Sequence, residues 1–138
     1  MMMMMMMRRK KKNINRSHYV YIDASDARVG AQARFISPPY NDAKLGDLCL
    51  HFFYFMYGSG VGTFNLYAKG VTQTDVGQPI WRISGNKGQR WIQTEVTIRA
   101  GSFRSAYQII FEGIRGRNVR ADIALDDISF TVGACATP

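Results

Sequence analysis

Between residues 121 and 132 the chain reads ADIALDDISFTV, and the spacing of its apolar residues restricts the possible folds more than any other feature. In an extended strand successive side chains point to opposite faces. Ile123 and Leu125 therefore share one face. Ile128, Phe130 and Val132 keep the alternation but on the other parity. All five reach one core only if the strand absorbs an extra residue between the two sets. A bulge does this, because it adds one residue to a strand and re-aims the side chains that follow. The place for it is Asp126-Asp127. Two carboxylates at such a break either anchor the local backbone or belong to a cation site.

The rest of the chain carries the same period-2 signature. Strands are expected at 18–23, 31–37, 48–57, 62–69, 80–84, 91–98, 107–114 and 121–132. Pro38-Pro39 cannot donate ladder bonds and stops the second of these. Gly58-Ser59-Gly60 closes the long apolar run LCLHFFYFMY, and GNKGQR separates the strands headed by Ile80 and Trp91. No window sustains helical periodicity. Short strands separated by turn signals predict an all-β, jelly-roll-like sandwich of antiparallel strands. A chain of 138 residues has room for one core. The aromatics Phe52, Phe53, Tyr54, Phe55, Tyr57, Trp81 and Trp91 are expected to build it, with a stacking groove for sugars or bases as the sharper alternative.

The net charge of +8 is concentrated at one end. Arg8, Arg9, Lys10, Lys11, Lys12 and Arg16 lie in the first sixteen residues, which hold no acid; the remaining twelve basic residues face ten acidic ones. A nearly balanced body argues against a nucleic-acid surface, which needs cations clustered on the folded part. Residues 1–16, seven methionines and a basic run, are expected to be disordered. The basic run follows the apolar stretch, the reverse of a secretory signal. A poorly defined gene start explains it best, with a nuclear-localisation-like run as the alternative. No apolar run approaches the roughly 18 residues that span a bilayer, so membrane association is expected only through a parent chain.

Catalytic patterns are weak, and no catalytic residue is assigned. His18 and His51 are the only histidines, and no zinc-ligand spacing is present. His51, inside an apolar strand, reads as a satisfied strand residue. GSGVG at 58–62 lies between two strands with no helix to follow, so it is a turn and not a phosphate loop. Arg115, Arg117 and Arg120 share one loop; they are solvated surface or a site for sulfated glycans. Asn15-Arg16-Ser17 is a glycosylation sequon. Asp122, Asp126 and Asp127 near one strand end, with Glu112 on the preceding strand, form the one plausible carboxylate cluster. Cys49 opens a buried strand and Cys135 follows the last one; by themselves they are two thiols or a bridge.

The segment FEGIRGRNVRADIALDDISFTVGAC resembles the end of MAM domains, the extracellular modules of meprins, neuropilins and receptor tyrosine phosphatases. SHYVYIDAS, ARFISPP, CLHFFYFMYGSGVGTFNLYAKG and PIWRISGNKGQRWIQTEVTI continue the resemblance in the family's order, over about residues 17–135. The resemblance implies a jelly-roll-like sandwich over 17–138. It implies a disulfide between Cys49 and Cys135, and hence an oxidising, extracellular compartment. It places the family's cation-binding acids on Asp126 and Asp127, with calcium as the metal. The family's first segment, with two further cysteines and acids of its own, has no match here, which predicts an exposed sheet edge and a depleted cation site. The implied function is non-catalytic: an adhesion or protein-interaction module, homophilic or heterophilic, of a cell-surface or secreted protein. A lectin-like module for heparin-type glycans is the alternative.

Overall fold

The computed structural model describes residues 6–11, 18–23, 30, 32–40, 46–99, 103, 106–116 and 122–136. Among them are nine strands and no helix: β1 (Met6–Lys11), β2 (His18–Asp23), β3 (Gln32–Ile36), β4 (Leu48–Tyr57), β5 (Val61–Gly70), β6 (Trp81–Ser84), β7 (Trp91–Ile98), β8 (Tyr107–Arg115) and β9 (Asp122–Val132). Every pairing is antiparallel. One sheet has the order β1-β2-β9-β4-β7 and the other β3-β8-β5-β6. The expected all-β, jelly-roll-like sandwich is the observed fold.

The core follows from strand alternation. β4 turns Leu50, Phe52, Tyr54 and Met56 inward, none more than 4% exposed. They meet Phe64 and Leu66 of β5 and Ile109 and Phe111 of β8 from the facing sheet. Phe52 touches Phe111 and Trp81 edge-on, with centroids 5.1 and 5.2 Å apart, a favoured arrangement of ring quadrupoles. Each such buried side chain contributes about 1.5–3 kcal/mol by leaving water.

The bulge lies at the expected place. His51 is opposite Ser129, and the next register pair is Phe53 with Asp126, so β9 uses three residues where β4 uses two. Asp127 takes the strain, with φ of 51°. Ile123 and Leu125 are buried and Phe130 packs against the same core. Ile128 is 39% and Val132 70% exposed, so these two of the five do not reach the core.

Gly62 and Gly116 hold a second irregularity. The β5–β8 register shifts between Val61 and Thr63. A Cβ on Gly62 would lie 2.2 Å from the Ile114 carbonyl oxygen, and one on Gly116 2.2 Å from that of Gly60. Only glycine permits these backbones to approach so closely.

Two expectations change. Met6–Lys11 is a strand rather than disordered, antiparallel to β2 with Met6 opposite Asp23 and Lys11 opposite His18. The edge of β2 offers unpaired backbone groups that accept a partner largely regardless of its side chains. The segment GNKGQR, expected as a turn between strands, links β6 and β7 of different sheets; it crosses the sandwich edge, held where Lys87 N–H donates to the Met56 carbonyl at 2.8 Å. The aromatics of β4 divide between two faces. Phe53 and Phe55 are half-buried and Tyr57 exposed, all on the outer side, as period 2 demands.

Candidate functional site

The outer face of the five-stranded sheet combines two features. At one end lies an aromatic ridge. Phe55 sits between Tyr57 and Trp91, with centroids 6.2 and 5.5 Å away. Tyr57 is 39% and Trp91 38% exposed. Phe55 and Trp91 are register partners across β4 and β7, so the ridge rests on two paired strands rather than a loop.

At the other end His51 is clamped. Its Nδ1 lies 3.1 Å from Glu95 Oε2 and its Nε2 2.9 Å from Thr131 Oγ1. With Nδ1–H donating to the carboxylate, Nε2 accepts from the hydroxyl. His51 is a satisfied strand residue tying β4 to both neighbours. Cys49, His51 and Glu95 stand close enough to suggest a metal trio, but the sulfur of Cys49 is committed to Cys135, Cα to Cα 4.7 Å. The Cys135 N–H also donates to Thr97 Oγ1 at 3.0 Å, which fixes the end of the chain after β9 to β7.

On the four-stranded sheet's outer face, Arg34, Glu112, Asn65 and Arg82 form a row across all four strands. Glu112 is 1% exposed and accepts from Arg34 Nε at 2.8 Å, Asn65 Nδ2 at 3.1 Å and Tyr67 OH at 2.9 Å. Burial, and then the hydrogen bond to Glu112, hold the Tyr67 hydroxyl's pKa above its ordinary value. Burial likewise raises that of Tyr54, partly offset by the Arg90 charge. Asn65 Oδ1 is buried with no hydrogen-bond partner.

This arrangement separates residues that the sequence placed together. Glu112 lies on β8 and Asp126-Asp127 on β9, in opposite sheets, because the connection after β8 crosses the sandwich. Glu112 therefore does not belong to the carboxylate cluster. Asp126 is 5% exposed, opposite Phe53, and Asp127 is exposed in the bulge. Two carboxylates fall short of the six to eight oxygens calcium takes, and among the described residues neither joins a group of three metal-ligating side chains. Arg115 is half-buried, its Nε enclosed without a partner. Arg117, Arg120 and Asn15 lie outside the described residues. The Glu112 network was missed in the sequence. Its only trace is one charged residue in the mostly apolar run YQIIFEGI, which does not reveal its partners.

Comparison with known proteins agrees with the geometry. The family model of the MAM domain, meprin/A5/mu, matches residues 4–136. MAM domain-containing glycosylphosphatidylinositol anchor protein 2 of Mus musculus is 41% identical over 126 residues, covering 86% of this chain and 13% of that protein. MAM domain-containing protein 2 of Homo sapiens is 38% identical over 118 residues, covering 86% of this chain and 16% of that protein. The chain thus spans less than a fifth of the length of these relatives. Among solved structures, the K1 cleaved adhesin domain of Lys-gingipain from Porphyromonas gingivalis W83 superposes with a TM-score of 0.69 at 14% identity, over 95% of this chain and 86% of that one. A family 16 carbohydrate-binding module gives 0.56 at 10% identity, over 91% and 84%. Both show the sandwich fold. With a family match over nearly its whole length and relatives near 40% identity, the chain belongs to the MAM domain family.

Proposed function

We propose that this domain is a non-catalytic adhesion or protein-interaction module of a longer cell-surface or secreted protein, contacting its partner through the aromatic ridge of the five-stranded sheet. The carrying observation is that ridge. Tyr57 and Trp91 present exposed rings beside Phe55 on rigid paired strands, and exposed tyrosine and tryptophan are the residues that anchor protein interfaces. The disulfide and the cell-surface names of the relatives support an extracellular setting. Beads coated with the domain should aggregate if contact is homophilic, or bind partner-bearing cells if it is heterophilic. Tyr57→Ala with Trp91→Ala should abolish both. Binding unchanged in the double variant would remove the ridge from the account.

The likeness to carbohydrate-binding modules supports a second reading, glycan binding, with Arg115, Arg117 and Arg120 as the polyanion loop. Heparin retention that falls steeply with salt and is lost in Arg115→Ala with Arg117→Ala would favour it. Retention lost only on deleting residues 1–16 would assign it to the basic tail. Calcium at Asp126 and Asp127 needs further oxygen ligands beside the two carboxylates. It predicts a calcium-dependent rise in Tm that Asp127→Asn removes; no rise at millimolar calcium would exclude it.

A further inference from the structure

The clamp around His51 holds a set of groups whose combined chemistry the adhesion reading does not use. Period 2 puts Cys49 and His51 on the same face of β4. Glu95 of β7 is the register partner of His51, and Thr131 of β9 is that of Cys49. Among the described residues, Cys49, His51 and Glu95 are the one group of three whose metal-ligating atoms converge, all within 4.8 Å of one another. Cys135, bonded to Cys49, brings a second sulfur to the same place. Thiolate, imidazole and carboxylate are the ligands that zinc takes, and four of them close a tetrahedral site. No zinc spacing is visible in the sequence because these ligands come from two paired strands and the segment after β9.

The distances suit such an ion. His51 Nδ1 and Glu95 Oε2 are 3.1 Å apart. Two atoms that each lie about 2.0–2.1 Å from a tetrahedral ion stand about 3.3 Å from each other. An ion can therefore replace the proton between them with little movement. The ring proton then resides on Nε2, which donates to Thr131 Oγ1 across the existing 2.9 Å contact. A bond of this kind at the second nitrogen orients a metal-bound imidazole. The side chains of His51 and Glu95 are 25% and 42% exposed, so an ion from solvent reaches them. Cys49 and Cys135 are 4.7 Å apart at Cα, and side-chain rotation sets two free sulfurs at the tetrahedral edge of about 3.8 Å.

The disulfide keeps the site shut, because the thiolate is the metal-binding form of cysteine. A dithiol reductant opens it by two exchanges. The reductant's first thiolate attacks the sulfur of Cys135, which is half-buried, whereas Cys49 is 2% exposed. The protein S–S bond breaks and Cys49 leaves as a thiolate beside His51. The reductant's second thiol attacks the mixed disulfide, closes a cyclic disulfide and releases Cys135. Two electrons pass from the dithiol to the protein, and the metal takes the place of the thiol protons.

We propose that reduction of the Cys49–Cys135 bond converts this end of the five-stranded sheet into a zinc site, with Cys49, Cys135, His51 Nδ1 and Glu95 as its ligands. The proposal is independent of the aromatic ridge, which occupies the other end of the same face.

The test uses the full chain, unreduced and after reduction with a water-soluble phosphine in place of a dithiol, which would itself bind the metal. Each form is titrated with zinc and with cobalt(II) as its coloured substitute. The reduced chain should take up one zinc ion at least about a hundredfold more tightly than the unreduced chain. Its cobalt form should show thiolate-to-metal charge transfer and the intense visible bands of tetrahedral coordination. Glu95→Gln and His51→Ala should each weaken zinc binding by about tenfold or more, since each removes a ligand. Thr131 is a positioning residue, so Thr131→Val should weaken binding by about tenfold with stoichiometry and tetrahedral bands unchanged. Reduction also removes a link that holds the fold, and an unfolded chain still offers two thiols. Glu95 separates the two cases, because it meets the sulfurs only when β4 and β7 are paired. A reduced chain whose folded amide spectrum returns on adding zinc would support the proposal, since the ion then binds the folded form. Equal zinc binding by the reduced and unreduced chains, binding indifferent to Glu95→Gln, or a reduced chain that unfolds and is not refolded by zinc would overturn it.

Discussion

Glu112 stabilises three strands with one carboxylate, since its partners Arg34, Asn65 and Tyr67 lie on β3 and β5 and it lies on β8. Removing it strands three donors at once, two of them buried. Glu112→Ala should therefore cost about 3 kcal/mol, discounted for the partial exposure of Arg34, and Glu112→Gln less, since an acceptor oxygen remains; urea unfolding measures both. The Tyr67 hydroxyl gives the same network a pH signature. Its folded pKa is raised, so above about pH 10 the unfolded chain loses a proton that the folded one retains. The associated stability is full below that pH and falls as pH rises through the folded value. Tyr67→Phe should lessen the alkaline loss without abolishing it, because Tyr54 is shifted the same way. Urea midpoints between about pH 8 and pH 11 read the difference.

At the scale of elements, two irregularities shape the sandwich. The bulge in β9 was legible in the sequence, because the switch of parity between Leu125 and Ile128 requires an extra residue wherever one face is buried. Its strain is concentrated at Asp127, φ 51°. A β-branched residue there is an outlier, so Asp127→Val should cost about 1–2 kcal/mol, and more than Asp127→Gly, which adopts that φ freely. The irregularity at Gly62 was not legible, since a glycine in a strand does not say which backbone approaches it. Gly62→Ala must push against the Ile114 carbonyl and should lower stability by about 1–3 kcal/mol, visible in the same assay. The β4 aromatics were legible as a strand but not as a division of labour. Counting by twos from Phe52 separates Phe52, Tyr54 and Met56 from Phe53, Phe55 and Tyr57, yet only the sheet order shows that, among the described residues, no strand layer covers the second set.

Across the whole molecule, pairing of distant elements decided what could be read. The strands of the body lay close to their expected positions because alternation is local. The separation of Glu112 from Asp126, and of β6 from β7, depends on which sheet each strand joins, and nothing within a strand encodes that. Strand β1 was missed because its pairing depends on the edge of β2 rather than on its own composition. The one long-range link the family resemblance implied, Cys49 to Cys135, joins β4 to the segment beyond β9 across a sequence separation of 86. By restricting the unfolded chain it contributes about 4–5 kcal/mol in the chain-entropy model, so Cys49→Ala with Cys135→Ala should lower the unfolding free energy by about that much. The same bond tests the extracellular account most directly. Peptide mapping by mass spectrometry of the unreduced protein, isolated from the cells that make it, should recover Cys49 and Cys135 in one linked peptide pair; free thiols at both positions would contradict it.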